Sequence, residues 1–125
     1  MKTKPYEQPL AHGGHAYVHR WLPNGDVRAV VQIVHGMAEH GGRYARLAQA
    51  LTAAGYAVYA QDLPGHGRSV RSRVHLGHIA NRDGWRISLD AIATVREGIR
   101  GALHDPPIYM LGHSMGSFLL QHDIA

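Results

Sequence analysis

Residues 111–117 read LGHSMGS, and the placing of glycine around serine in them decides the fold. The pentapeptide Gly112-His113-Ser114-Met115-Gly116 closes the apolar stretch IYMLG (108–112), which predicts a buried strand. Residues from Met115 onward predict a helix. A strand that turns this sharply into a helix needs glycines where side chains would meet neighbouring backbone. Ser114 is then lifted clear at the bend, close to the positive end of the following helix dipole.

Upstream of this bend the chain alternates. AYVHRWL (16–22) carries β-favouring residues after Gly13-Gly14, and PNGD (23–26) is a turn signal. VRAVVQIVH (27–35) is a nearly unbroken apolar run, as in a parallel strand covered on both faces. Tyr44, Leu47, Ala48, Leu51 and Ala54 mark one face of a helix closed by Gly55. YAVYAQD (56–62) is a second buried strand. In residues 83–103, Leu89, Ile92, Val95, Ile99 and Leu103 recur at helical steps, with Asp83 as the cap and Pro106-Pro107 as terminator. The pattern predicts an α/β fold: a mostly parallel sheet with an antiparallel N-terminal hairpin and helices on both faces.

The 125 residues suit one domain, large enough to bury roughly two-thirds of its unfolded surface. Thirteen Lys and Arg against nine Asp and Glu give a net charge of +4, and Arg68, Arg71 and Arg73 form the one local cluster, read as a solvated loop. Basic residues are not interleaved with aromatics, so no nucleic-acid surface is expected. Cysteine is absent, which excludes disulfides and thiolate metal sites and fits a cytoplasmic protein. No apolar run approaches the ~20 residues of a membrane-spanning helix, so no integral membrane contact is expected.

In open α/β sheets chemistry gathers at the carboxyl ends of the strands. Three loops of this chain, HGMAEHGG, DLPGHGRS and GHSMGS, each follow a strand and should open onto one edge. The strand-to-helix context of Ser114 is that of a nucleophile elbow, with the Met115 N–H as one oxyanion donor and the Met37 N–H of His35-Gly36-Met37 as a second. The plainer reading is that Ser114 begins a helix and Gly36 makes a turn. VHGMAEHGGRY, QDLPGHGRS and LGHSMGS, in that order, resemble the monoacylglycerol lipase and lysophospholipase branch of the α/β-hydrolase superfamily, of serine aminopeptidase S33 type, from about residue 12 onward. The resemblance implies a serine esterase with Ser114 as nucleophile and Met37 and Met115 as the oxyanion hole. It implies an elbow built on Gly112, His113 and Gly116, and a pocket rim drawn from His35, Gly36, Glu39, His40 and Arg43. It sets His66 in a structural turn beside that rim. A small lipid-like ester is the implied substrate, with peripheral membrane association of the full-length protein and no cofactor.

The superfamily's partners follow the serine in the chain. After Ser114 come one histidine, His122, and one acid, Asp123. Eight residues along a helix displace His122 by roughly 12 Å, whereas a base must reach the hydroxyl at ~3 Å. Of the upstream histidines, His113 should point away from the reacting edge, and His35, His40 and His66 have no evident acid to orient them. His12, His15, His19, His75 and His78 match no standard zinc spacing, so no metal site is expected. The chain stops on LLQHDIA without a helix-terminating signal, so residues 1–125 are expected to be the N-terminal part of a hydrolase core, lacking lid, acid and histidine and inactive alone. The alternative is a non-catalytic protein that binds a partner through an open sheet edge.

Overall fold

The computed structural model describes residues 1–11, 13–37, 39–69 and 84–124. The expected cap at Asp83 and the cationic positions Arg71 and Arg73 lie outside them, as do His12, His75 and His78. Among the described residues six strands form a single sheet: β1 (Lys2–Thr3), β2 (Tyr6–Pro9), β3 (His15–Leu22), β4 (Ala29–Val34), β5 (Tyr56–Gln61) and β6 (Ile108–Gly112). Three α-helices accompany them: α1 (Ala45–Ala53), α2 (Gly84–Ala102) and α3 (Met115–Ile124). The strand order is β1-β3-β5-β4-β6, with β2 also on β3. Strands β5, β4 and β6 run parallel, and β3 is antiparallel to β5, β1 and β2. None of the described helices is long and apolar enough to cross a membrane.

All six residues of β4 are buried because both faces of the sheet are covered there. Val30 joins Ala16, Val18, Ala57 and Tyr59 against Val95 and Ile99 of α2. On the opposite face Val31 and Ile33 pack with Trp21, Val58 and Ala60 against Ala48 of α1. Val34 meets Ile92 of α2 and Leu119 and Leu120 of α3. The one polar side chain in β4, Gln32, donates Nε2 to Gln61 Oε1 at 2.9 Å and to the Ile92 carbonyl at 3.2 Å. Its own Oε1, and Nε2 of Gln61, are buried without a partner among the described residues.

The helix-to-strand order places α1 and α2 on opposite faces because the chain leaves β4 in one direction, to β5, and returns across it to β6. Such a reversal opens a crevice at the carboxyl ends of the strands. The turn before β6 is tight: His104 and Asp105 both adopt left-handed backbone, with φ of 57° and 58°.

Two expectations need correction. IYMLG is not a buried strand: β6 has only β4 beside it among the described residues, and its residues are half-buried or exposed, Tyr109 most of all. Leu47 is not on the core face of α1. It is 37% exposed, and Ala48 and Thr52 take the buried positions. The expected antiparallel N-terminal hairpin is present as β2 and β3, though no strand was expected at Lys2–Thr3 or Tyr6–Pro9 in particular. Ile33→Ala should therefore cost about 2–5 kcal/mol of unfolding free energy. Leu47→Ala should stay within about 0.5 kcal/mol. Urea unfolding of the two variants checks the difference.

Candidate active site

Three loops meet at the carboxyl ends of β4, β5 and β6. In the last of them Ser114 has φ of 55°, left-handed for a residue with a side chain, and its side chain is exposed. Strain of this kind costs of order 1–3 kcal/mol and persists only where surroundings over-determine it. Those surroundings are specific. His113 N–H donates to the Val34 carbonyl at 3.1 Å, tying the turn to β4. Gly116 and Ser117 N–H donate to the carbonyls of His113 and Ser114, both at 2.9 Å, winding the turn into α3. A Cβ on Gly116 would collide with the Val34 carbonyl oxygen, and one on Gly112 would lie 2.7 Å from the Gly116 oxygen.

The loop after β4 runs directly over the serine. A Cβ on Gly36 would sit 3.1 Å from Ser114 Cβ and 3.2 Å from the His113 carbonyl oxygen. The Met37 amide in this loop, and the Met115 amide at the first position of α3, donate to no protein acceptor among the described residues. Met37 itself is exposed.

His35, expected on a pocket rim, lies fully inside the protein. Its Nε2 accepts the Leu63 N–H at 2.9 Å, so its proton is on Nδ1, which donates to the Gly36 carbonyl at 2.7 Å. One neutral ring thus joins the loops after β4 and β5. Burial, and to a lesser degree the neighbouring His66 ring, lower its pKa, outweighing the bond to Gly36 and the carboxylates of Asp62 and Glu39. His66 is also buried, with Nδ1 donating to the Pro64 carbonyl at 3.1 Å, and serves the turn in which it sits.

Glu39 is the hub of the first loop. Its Oε2 accepts the Gly36 N–H at 2.8 Å and the His113 Nδ1–H at 2.9 Å. Its Oε1 accepts from Arg43 at 3.1 Å and from the Tyr44 hydroxyl at 3.3 Å. Burial alone would raise the carboxyl's pKa. The bonds from His113 and the Gly36 amide, with the charges of His113 and Arg43, more than reverse this and hold it below the usual carboxylate range. His113 therefore does not turn away from the reacting edge. It folds back over the neighbouring loop and has an acid to orient it.

Asp62, at the end of β5, is a second buried hub that sequence reading missed. Its carboxylate accepts the Gly41 N–H at 2.6 Å, the His19 Nε2–H at 3.0 Å and the Arg68 N–H at 2.8 Å. Burial would raise its pKa too, and these donors lower it instead. No spacing rule could announce either hub, because the partners are 74 positions apart for Glu39–His113 and 43 for Asp62–His19.

Among the described residues no imidazole bonds the Ser114 hydroxyl. His122 accepts from Trp85 Nε1 at 2.6 Å and Asp123 pairs with Arg96, so both engage α2 rather than the bend. His40 and Arg43, both exposed, lie at the outer side of the Glu39 loop.

Comparisons with known proteins agree with this geometry. The profile of the serine aminopeptidase S33 family matches residues 25–123. A monoacylglycerol lipase of Mycolicibacterium smegmatis is 42% identical over 99 residues, 77% of this chain and 32% of that protein. Human monoglyceride lipase is 33% identical over 108 residues, 85% of this chain and 33% of that protein. The crystal structure of a thermostable carboxyl esterase from Bacillus coagulans, in complex with glycerol, superposes with a TM-score of 0.87 at 27% identity, covering 98% of this chain and 40% of that one. The chain thus spans about a third of the length of the curated relatives it matches, and its fold is that of the α/β-hydrolases.

Two outcomes follow from the packing. Gly116→Ala should destabilise by about 1–3 kcal/mol through backbone collision, whereas Gly101→Ala in α2, with open space around it, should gain up to about 1 kcal/mol. Thermal unfolding of both variants checks this. Because the folded pKa of His35 is depressed, its contribution to stability is complete above about pH 6.5 and is lost as pH falls below that value toward the folded pKa. Nitrogen-15 NMR should show its neutral ring protonated on Nδ1 and titrating below the ordinary histidine range.

Proposed function

The chain belongs to the serine aminopeptidase S33 family, and from that premise we propose that it supplies the nucleophile and oxyanion hole of a serine ester hydrolase. One observation carries the reading: Ser114 is held in left-handed backbone at the mouth of the crevice, exposed and overlain by the Gly36 loop. In this reading the Ser114 hydroxyl attacks the ester carbonyl as its proton passes to a base. The carbonyl oxygen becomes an oxyanion between the amides of Met37 and Met115, each worth a few kcal/mol to the tetrahedral intermediate. Collapse expels the alcohol with a proton and leaves the acyl group on Ser114, and water then releases the acid.

The substrate we propose is a monoacylglycerol or lysophospholipid. Support comes from relatives named monoacylglycerol lipase and probable lysophospholipase L2. Glu39 would keep the oxyanion loop in place, since its carboxylate binds both the Gly36 amide and His113 beside the serine. The base and its acid would come from sequence that full-length relatives have and these residues do not match. Without a base the hydroxyl is a poor nucleophile, so residues 1–125 by themselves should turn over no ester.

A second reading, partner binding without catalysis, rests on β6, whose outer edge is unpaired among the described residues, and on the exposed side chains of Tyr109 and Phe118.

The two part experimentally. Residues 25–123 exchanged into the mycobacterial relative should give a chimera that hydrolyses monoacylglycerol, and Ser114→Ala in it should lower kcat by about 10⁴-fold or more. The isolated chain should cleave a p-nitrophenyl ester no faster than its own Ser114→Ala variant, and a fluorophosphonate probe should leave Ser114 unlabelled. A folded chimera without Ser114-dependent turnover would count against the hydrolase reading and for the binding one.

A further inference from the structure

Beside the Glu39 loop, three side chains from three separate segments converge. His19 lies on β3, His40 precedes the short 3₁₀ turn Gly41–Tyr44, and Asp62 follows β5. One ligand atom from each lies within 4.8 Å of the other two. We propose that His19, His40 and Asp62 bind a divalent transition-metal ion, Zn²⁺ by preference, which ties the loop beside Ser114 to the sheet.

The donor set suits such an ion. Two imidazoles and one carboxylate match borderline cations such as Zn²⁺, Co²⁺ or Ni²⁺, and are a poor set for Mg²⁺ or Ca²⁺, which prefer oxygen throughout. With metal–ligand bonds of about 2.0–2.2 Å, a tetrahedral site spaces its donors by about 3.3 Å. His19 Nε2 and Asp62 Oδ1 are already 3.0 Å apart. His40 is exposed and makes no side-chain bond among the described residues, so it can close the remaining distance at little cost.

The surroundings hold the other two donors in place. Asp62 is fixed at Oδ2 by the Arg68 amide, and its Oδ1 is turned toward His19 and the amide of Gly41, the residue after His40. Gly41 and Gly42 leave room for the rings. A Cβ on Gly41 would lie 2.8 Å from His19 Cδ2, and one on Gly42 would lie 3.1 Å from both His19 Cε1 and His40 Nδ1. Binding needs one rearrangement: His19 gives up the Nε2 proton that bonds Asp62, keeps a proton on Nδ1, and frees Nε2 as a ligand. Water completes the coordination.

An ion here would cross-link β3, β5 and the segment next to Glu39, whose carboxylate carries the Gly36 amide. It would stiffen the loop that overlies Ser114. The ligands stand at positions 19, 40 and 62, a spacing no zinc pattern contains.

The test is titration of the chain, purified without a polyhistidine tag and stripped with EDTA, by Zn²⁺ alone. Calorimetry should show one site per chain, Zn²⁺ should raise the melting temperature, and Co²⁺ should give the visible bands of a tetrahedral complex. His40→Ala and His19→Gln should each weaken Zn²⁺ binding at least about tenfold, while His104→Ala, at the exposed turn before β6, should change nothing. His40→Ala should melt like the parent chain in EDTA, which separates a lost ligand from a lost fold. Absence of one-to-one binding, or binding that survives both ligand substitutions, overturns the site. Neither outcome depends on ester hydrolysis.

Discussion

Gly116 has no side chain, and the carbonyl oxygens of Val34 and His35 occupy the space where one would begin. This contact brings the first turn of α3 against the end of β4, closer than any other residue would permit. The turn between β6 and α3 then has so little room that Ser114 must take a left-handed conformation. The same closeness places Gly36, two residues past β4, against the serine's Cβ. Position, exposure and the overlying loop are thus consequences of one absent side chain, with the buried β4 as the fixed reference.

Beneath the loops, polar groups do work that apolar packing cannot, because backbone amides that leave a sheet still need acceptors. His35 satisfies Leu63, Glu39 satisfies Gly36, and Asp62 satisfies both Gly41 and Arg68. His35–Leu63 and Asp62–Gly41 cross between the loops after β4 and β5, and Glu39 reaches the third loop through His113, so the three loops hold one another. A buried carboxylate with only solvent-side partners would cost several kcal/mol. These are stabilised by donors fixed in the backbone, which need no further ordering.

What the sequence disclosed follows the range of the interactions. Strands β4 and β5 and helices α1 and α2 were visible because burial on both faces, or on one stripe, writes a period into neighbouring residues, while α3 was expected from its place after the glycine-serine bend. Strands β1 and β2 were invisible: Lys2–Thr3 and Tyr6–Pro9 are mostly exposed, and pair with β3 through backbone atoms that leave no side-chain pattern. The strand-to-helix bend at Ser114 was legible since glycine and serine are adjacent to the strand they terminate. The carboxylate hubs were not, because Glu39 finds His113, and Asp62 finds His19, only after the sheet has assembled. β6 read as buried from its apolar composition, and among the described residues only its β4 side is paired.

The amide pair of Gln32 and Gln61 has a different consequence. One NH₂ group links two neighbouring strands and the Ile92 carbonyl of α2, inside an otherwise apolar layer. Sliding β4 along β5 by two residues would keep every side chain on its proper face, and the oily residues would scarcely register the error. The glutamine would: its amide would lose its partners while still shut away from water, a penalty of about 1–3 kcal/mol. This pair therefore acts as an alignment pin, giving up some stability so that the parallel strands lock in a single phase.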